Sequence, residues 1–115
     1  LLIVLSVRVI AFRRAERVSL GDGGHTVLLR RVRAHANFIE YAPFALILLG
    51  LLESLHAAPL LLHAVGASLL AGRIAHAVAL SNPRGIMVLR VTGMMLTFAS
   101  IAVAAVGCLA MLALR

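Results

Sequence analysis

Long apolar stretches separated by short polar segments dominate the chain. Residues 91–114 contain no charged side chain, and residues 54–72 form a second uncharged stretch whose helical pattern continues to about residue 80. A third apolar stretch covers about residues 34–52, with Asn37 and Glu40 accepted inside it or at its interfacial end. Since a helix of roughly 20 apolar residues crosses a bilayer core, the pattern predicts three membrane-spanning helices.

The first residues predict a fourth helix. Residues 1–12 are apolar except for Arg8, and they are too few to cross a bilayer alone. Because the sequence starts at Leu1 without a Met, we expect this helix to lack its beginning. Pro59 suits the first turn of the third helix. We therefore predict a single all-α domain, an integral membrane four-helix bundle over residues 1–115, with helices at about residues 1–14, 34–54, 59–80 and 86–114.

The three predicted connections differ in charge. The first, residues 13 to about 33, is rich in Arg, and the third, residues 81–85, is a turn that contains Arg84 and is soon followed by Arg90. The second, near residues 53–58, contains no Arg. In a four-helix topology the first and third connections lie on the same side of the membrane. The positive-inside rule then predicts that these two connections are cytoplasmic and that the termini lie outside.

The composition excludes most soluble functions. The chain is 63% hydrophobic and 13% charged, with a mean hydropathy of +1.07 and a formal net charge of +7, whereas a soluble domain is about 45–50% apolar and about 25% charged. A soluble monomer of this composition would expose large apolar patches. The positive charge does not favour nucleic acid as a partner, because the Arg residues are spread along an apolar chain with one Tyr and four Phe for base stacking.

Several other kinds of site are disfavoured. Cys108 is the single cysteine, which excludes an internal disulfide and a multi-cysteine metal site, and its apolar surroundings favour an inert thiol. The Gly-rich residues 21–24 lack the spacing of a nucleotide-binding loop. His56 and His63 are able to share a helix face, but no acid or Cys joins them at ligand spacing, so we expect no metal site.

Polar residues inside the predicted spans stand out, because such residues are costly in a membrane and commonly functional. The second helix presents four of them on one face: Arg33, Asn37, Glu40 and Tyr41. The third helix adds Arg73 and His76 on one face, and the fourth begins with Arg90. All lie toward the Arg-rich side, so we expect them to form one polar cluster.

Two interpretations of this polar cluster are open. In the first, Glu40 neutralises Arg33 or Arg73, and the polar groups hold the helices together. In the second, the cluster binds an anionic ligand, because the basic groups outnumber Glu40 and buried guanidinium groups require counter-anions. Guanidinium groups pair with carboxylates, Asn37 suits a peptide amide, and Glu40 suits an ammonium group. A ligand with two carboxylates, peptide bonds and one amine would use them all.

Residues 33–43, RAHANFIEYAP, resemble the RAxxNxxEYxP signature of the MAPEG family, the membrane-associated proteins in eicosanoid and glutathione metabolism. Residues 9–18, VIAFRRAERV, resemble the end of that family's first helix with its paired Arg. The four-helix layout and the basic first connection also fit, so the resemblance covers essentially the whole chain. It is to the small bacterial members, which implies a bacterial inner membrane with cytoplasmic Arg-rich connections.

The resemblance implies a homotrimer that binds glutathione between neighbouring subunits near the cytoplasmic face. Four residues match the family's glutathione ligands from one subunit: Arg33, Asn37, Glu40 and Tyr41. Two match positions that reach in from the adjacent subunit: Arg13 and His35. Arg90 resembles the fourth-helix Arg that holds the glutathione sulfur as a thiolate, and Arg84 is a competing candidate for that role.

Arg73 and His76 complete the candidate glutathione-binding residues. The eicosanoid-producing members carry Tyr at the positions of His76 and Leu80 in this chain, which argues against a specific eicosanoid synthase. The resemblance implies a membrane-bound, glutathione-dependent transferase or peroxidase-like enzyme. Glutathione would be its co-substrate, and a lipophilic small molecule would be its second substrate.

Two alternatives to this enzyme come from other functional classes. The first is a non-catalytic MAPEG-like membrane protein that binds a lipid headgroup or another anionic metabolite. The second is a small multidrug exporter, which also uses four short helices and an intramembrane Glu. The exporter is disfavoured, because Arg33 and Arg73 are expected to surround Glu40 where a pump would need an aromatic, cation-binding chamber.

Overall fold

A computed structural model of the chain describes residues 1–82 and 84–114. It confirms the all-α class and the four predicted helices, which are α1 (Leu2–Glu16), α2 (Thr26–Ser54), α3 (Pro59–Ser81) and α4 (Met87–Ala113). Helices α2, α3 and α4 are long and apolar enough to cross a membrane. Helix α1 has 15 residues, or about 22 Å at 1.5 Å per residue, which is less than a bilayer core.

Local signals in the sequence explain most of the helix ends. Pro59 is the first residue of α3, as predicted, because its missing N–H costs nothing in the first turn. Helix α1 ends where Arg17 adopts the left-handed conformation, with a φ of 55°. The predicted third connection follows Ser81, although Pro83 within it lies outside the described residues.

The predicted start of α2 was wrong. The helix begins at Thr26 rather than at about residue 34. The charge of Arg30, Arg31 and Arg33 made this segment look like a loop, yet Arg is a good helix former. Arg side chains also extend toward the membrane surface while their aliphatic parts stay in apolar surroundings. The helix therefore continues past the apolar span, and the connection that precedes it is shortened to residues 17–25, which include the Gly-rich residues 21–24.

Helices α3 and α4 approach closely at a pair of glycines. A Cβ atom added to Gly72 would lie 2.8 Å from the carbonyl oxygen of Gly93, and one added to Gly93 would lie 2.7 Å from the backbone nitrogen of His76. Small residues of this kind let membrane helices pack backbone to backbone. The crossing fixes the level at which residues of α3 face those of α4. Helix α2 packs across both helices.

Both Arg-rich connections lie at the same end of the bundle, as predicted. Arg30, in the first turns of α2, donates a hydrogen bond of 2.8 Å to the carbonyl oxygen of Asn82 at the end of α3. Arg31 donates to the carbonyl oxygen of Arg8 in α1 at 3.0 Å. These bonds join α1, α2 and α3 at what we call the Arg-rich end of the molecule. The cytoplasmic location of this end stays a prediction.

The glycine crossing leads to a first testable expectation. Replacing Gly93 with Ala should lower the stability of the detergent-solubilised protein by about 1–3 kcal/mol, because the added methyl group meets backbone atoms that have no room to move. Gly50→Ala is the matched control, since a Cβ atom there meets nothing within 4 Å. Thermal unfolding monitored by circular dichroism measures both. Equal unfolding temperatures for the two variants would contradict the close crossing.

Candidate functional site

A cavity of about 360 Å³ opens at the Arg-rich end between α2, α3 and the beginning of α4. Its apolar wall includes Leu80 and Met87. Its polar lining consists of six residues: Arg30, Arg33, Asn37, His76, Arg84 and Arg90. Of the eight residues predicted to contact glutathione, Arg33, Asn37 and His76 line this one cavity. The predicted catalytic residue Arg90 lines it as well, whereas the predicted contact Arg73 does not.

The cavity is strongly basic. Four of its lining residues carry guanidinium groups, and among the described residues none of those lining it is acidic. Guanidinium groups remain charged at any physiological pH. Positive charge gathered in a partly enclosed cleft attracts anions more strongly than the same charge dispersed over an open surface. The cavity is therefore suited to a ligand that carries carboxylate, phosphate or thiolate groups.

Arg73 lies beside the cavity rather than in its lining. Its side chain is 3% exposed and donates hydrogen bonds to each neighbouring helix. Nη1 donates to Oδ1 of Asn37 at 2.7 Å and to the carbonyl oxygen of that residue at 3.3 Å. Nε donates to Oγ1 of Thr97 at 3.0 Å, and Nη2 donates to the sulfur of Met94 at 3.3 Å. Arg73 thus joins α2, α3 and α4 at one point.

The bond from Arg73 fixes the orientation of the Asn37 amide. A guanidinium group only donates hydrogen bonds, so the amide oxygen must be the atom that faces Arg73. The amide nitrogen is then the atom left to serve the cavity that Asn37 lines. Because this nitrogen donates two hydrogen bonds, Asn37 adds to the preference of the cavity for an anionic or carbonyl acceptor.

The aromatic ring of Tyr41 contacts the guanidinium group of Arg73. The Cζ atom of Arg73 lies 5.8 Å from the centre of the Tyr41 ring, within the range of a cation–π contact. The Tyr41 ring in turn packs edge-on against Phe98 of α4, with ring centres 5.5 Å apart. Tyr41 therefore contacts the group that positions Asn37 and is not among the residues lining the cavity.

Besides Arg73 and Tyr41, three more predicted ligand residues are not among those lining the cavity. His35 faces α1, where its Nε2 atom is 3.0 Å from Oγ of Ser6. In the described part of the chain, the buried Nη1 atom of Arg13 has no hydrogen-bond partner. Glu40 is exposed on the surface of the single chain. Arg73 bonds to Asn37, Thr97 and Met94, so its described polar partners do not include the Glu40 carboxylate that the first interpretation assigned to it.

Arg30 and Thr97 were not predicted as site residues, and Arg84 was predicted only as a competitor of Arg90. Arg30 was detectable, because it precedes Arg33 and Asn37 by three and seven residues and so shares their helix face. Thr97 is fully buried and carried no distinctive signal, because a single Thr in an apolar helix commonly bonds to its own backbone. It does so here, donating to the carbonyl oxygen of Gly93 at 2.9 Å.

The fold and the cavity define an α-helical membrane protein with a basic cavity at one end of its bundle. The model of the MAPEG family matches residues 1–110. The chain belongs to this family, which confirms the predicted resemblance.

Two relatives, both described as inner membrane protein YecN, come from Escherichia coli strain K12 and strain CFT073. Each is 40% identical to the chain over 76 residues, which are 66% of this chain and 58% of the relative. The chain thus covers somewhat more than half the length of these relatives. No solved structure matches it significantly.

The Arg73 network generates a second testable expectation. Thr97→Val should destabilise the protein by roughly 1–2 kcal/mol, because it leaves the buried Nε atom of Arg73 without its acceptor. Thr92→Val on the same helix is the matched control, since Thr92 is exposed. Thermal unfolding in one detergent compares the two. If both variants unfold at the temperature of the unsubstituted protein, the bond between Arg73 and Thr97 contributes nothing.

Proposed function

We propose that the protein is a membrane-bound, glutathione-dependent transferase or peroxidase-like enzyme that uses the basic cavity. The observation that carries this proposal is the convergence of Arg33, Asn37 and Arg90 on one cavity, whose described lining residues include no acid, in a chain of the MAPEG family. Glutathione has two carboxylates, two peptide bonds and a thiol, so it supplies the acceptor groups that these side chains require.

In this proposal the residues of α2 hold the peptide part of glutathione. Arg33 pairs with a carboxylate, and the Asn37 amide nitrogen donates to a carbonyl or carboxylate oxygen. Glu40, exposed on the single chain, takes the ammonium group. Arg13 and His35 do not line the cavity of their own chain, and we propose that they contact glutathione bound to a neighbouring subunit of a homotrimer.

Arg90 acts on the thiol. A free cysteine thiol has a pKa near 8.5 and is mostly protonated at neutral pH. A guanidinium group within a few ångströms lowers such a pKa by about one to three pH units, because it stabilises the charged thiolate. The thiolate sulfur then attacks an electrophilic carbon, and the bond from that carbon to its leaving group breaks. Arg90 stabilises the nucleophile electrostatically and accepts no proton.

The second substrate in this proposal is lipophilic and reaches the site through the bilayer. Met95 and Phe98 of α4 are exposed large apolar residues, 62% and 45% exposed respectively. Met side chains adapt to varied apolar partners. Met94 is excluded from this surface, because its sulfur accepts a hydrogen bond from Arg73 inside the bundle.

The proposed location is a bacterial inner membrane, with the Arg-rich end in the cytoplasm. The relatives from Escherichia coli are described as inner membrane proteins. Cytoplasmic glutathione would then reach the cavity directly, because the cavity lies at the Arg-rich end.

The test of the proposed enzyme is a third expectation. We expect the purified protein to conjugate glutathione to a chlorinated aromatic acceptor. Arg90→Gln should reduce the thiolate fraction of bound glutathione at neutral pH about tenfold or more and move the pH profile of turnover upward by at least about one pH unit. Ultraviolet absorbance of the thiolate and steady-state assays measure these effects.

Two further variants make this assay specific. Arg84→Gln should weaken glutathione binding without changing the pH profile, because Arg84 lines the cavity but is not assigned to the sulfur. Arg14→Gln should change neither property, since Arg14 is exposed and lies outside the cavity. The proposal fails if the unsubstituted protein shows no turnover, or if Arg90→Gln leaves turnover and its pH profile unchanged.

A second candidate function is binding of an anionic metabolite or lipid headgroup without chemistry. The observation that favours it is Leu80, which lines the cavity and offers no hydroxyl group to a peptide ligand. Arg30 and Arg84 also make the cavity more basic than the predicted Arg33 and Arg90 alone would. Calorimetric titration separates the two functions. Heat of glutathione binding supports the enzyme, whereas no heat at millimolar glutathione supports the second function.

A further inference from the structure

A second concave site lies between α1 and α3, away from the basic cavity. Helix α1 packs against α2, and in the described part of the chain it reaches α3 through side chains, since Leu5 shares a buried apolar cluster with Ala77 and Arg8 bonds to Ser81. A groove of about 410 Å³ remains between them and shares no lining residue with the cavity. Its walls are apolar over most of their length: Leu1, Val4, Leu5, Ile74, Ala77 and Val78.

One end of this groove is positively charged. Arg8, Ser81 and Asn82 line it there, and Nη1 of Arg8 donates a hydrogen bond of 2.6 Å to Oγ of Ser81. A hydroxyl group satisfies one donor of the guanidinium group but does not neutralise its charge. Among the described residues, none of those lining the groove is acidic. Arg8 is thus a half-buried charge that lacks a counter-anion in the groove.

Two further Arg side chains reach the same end. Arg31 donates to the carbonyl oxygen of Arg8 at 3.0 Å. Arg30 donates to the carbonyl oxygen of Asn82 at 2.8 Å. Both bonds use backbone acceptors, so neither of them removes a positive charge. Arg8 is the Arg residue that lines the described polar end of the groove, and Arg30 and Arg31 add positive charge next to it by bonding to the backbone of two lining residues.

We propose that this groove binds an anionic phospholipid. One acyl chain lies along the apolar walls, and the phosphate group lies at the end near Arg8, where it neutralises the charge that Ser81 leaves uncompensated. A helix from a second copy of the chain fits this site less well, because apolar side chains would cover Arg8 without supplying an anion. The proposal does not depend on glutathione binding.

The test is a lipid competition followed by native mass spectrometry. The full chain in detergent is mixed with phosphatidylglycerol and with phosphatidylcholine of the same acyl chains. We expect phosphatidylglycerol to be retained preferentially. Arg8→Gln should reduce this preference roughly fivefold, the effect of about 1 kcal/mol for one Arg near a lipid headgroup. Arg14→Gln should leave it unchanged, because Arg14 lies outside the groove.

Two more variants separate lipid binding from other roles of the groove. Ser81→Ala removes the link between α1 and α3 but keeps the charge of Arg8, so we expect the lipid preference to persist. Val4→Trp fills the groove from an exposed position and should reduce retention of both lipids.

Three results would overturn the proposal. The first is an equal loss of preference in Arg8→Gln and Ser81→Ala, which would make Arg8 a structural link only. The second is equal retention of both lipids by the unsubstituted protein. The third is a changed oligomeric mass for Val4→Trp with the lipid preference intact, which would assign the groove to a second copy of the chain.

Discussion

The rest of the structure depends on one buried charge in the middle of the bundle. Arg73 lies on a mostly apolar helix and is almost completely inaccessible, a position that is costly unless every donor finds an acceptor. Its acceptors come from α2 and α4, namely Asn37, Thr97 and Met94. The three helices must therefore meet in one register for the charge to be tolerated. The close approach of Gly72 and Gly93 provides that register between α3 and α4.

The same interaction connects stability to the candidate site. Because Arg73 occupies the oxygen of the Asn37 amide, it leaves the donor nitrogen for the cavity. The cavity then contains guanidinium and amide donors on several elements and no acidic lining residue among those described. The proposed thiolate chemistry at Arg90 uses this excess of positive charge. The hydrogen bonds of Arg73 thus hold three helices together and also orient the amide that Asn37 offers to the cavity.

The sequence predicts the fold more completely than the site. Two uncharged stretches and one apolar stretch that contains Glu40 predict the three spans, because backbone and side chains in lipid must satisfy simple requirements of length and polarity. The start of α2 could not be predicted in this way, because Arg30, Arg31 and Arg33 belong to the helix although their charge is typical of a polar connection.

Within the site, helical spacing correctly brought Arg33 and Asn37 onto one face, and these two residues share a cavity with His76 and Arg90. Spacing could not reveal that Arg73 bonds to Asn37 and Thr97, because such bonds depend on the register and side-chain conformations of separate helices.

A structure determined in lipid nanodiscs with added glutathione is the decisive measurement for this site. We expect glutathione in the cavity beside Arg33, Asn37 and Arg90, with Arg73 still bonded to the Asn37 oxygen. Glutathione bound elsewhere, or an Arg73 that leaves Asn37 to contact the ligand, would contradict this expectation.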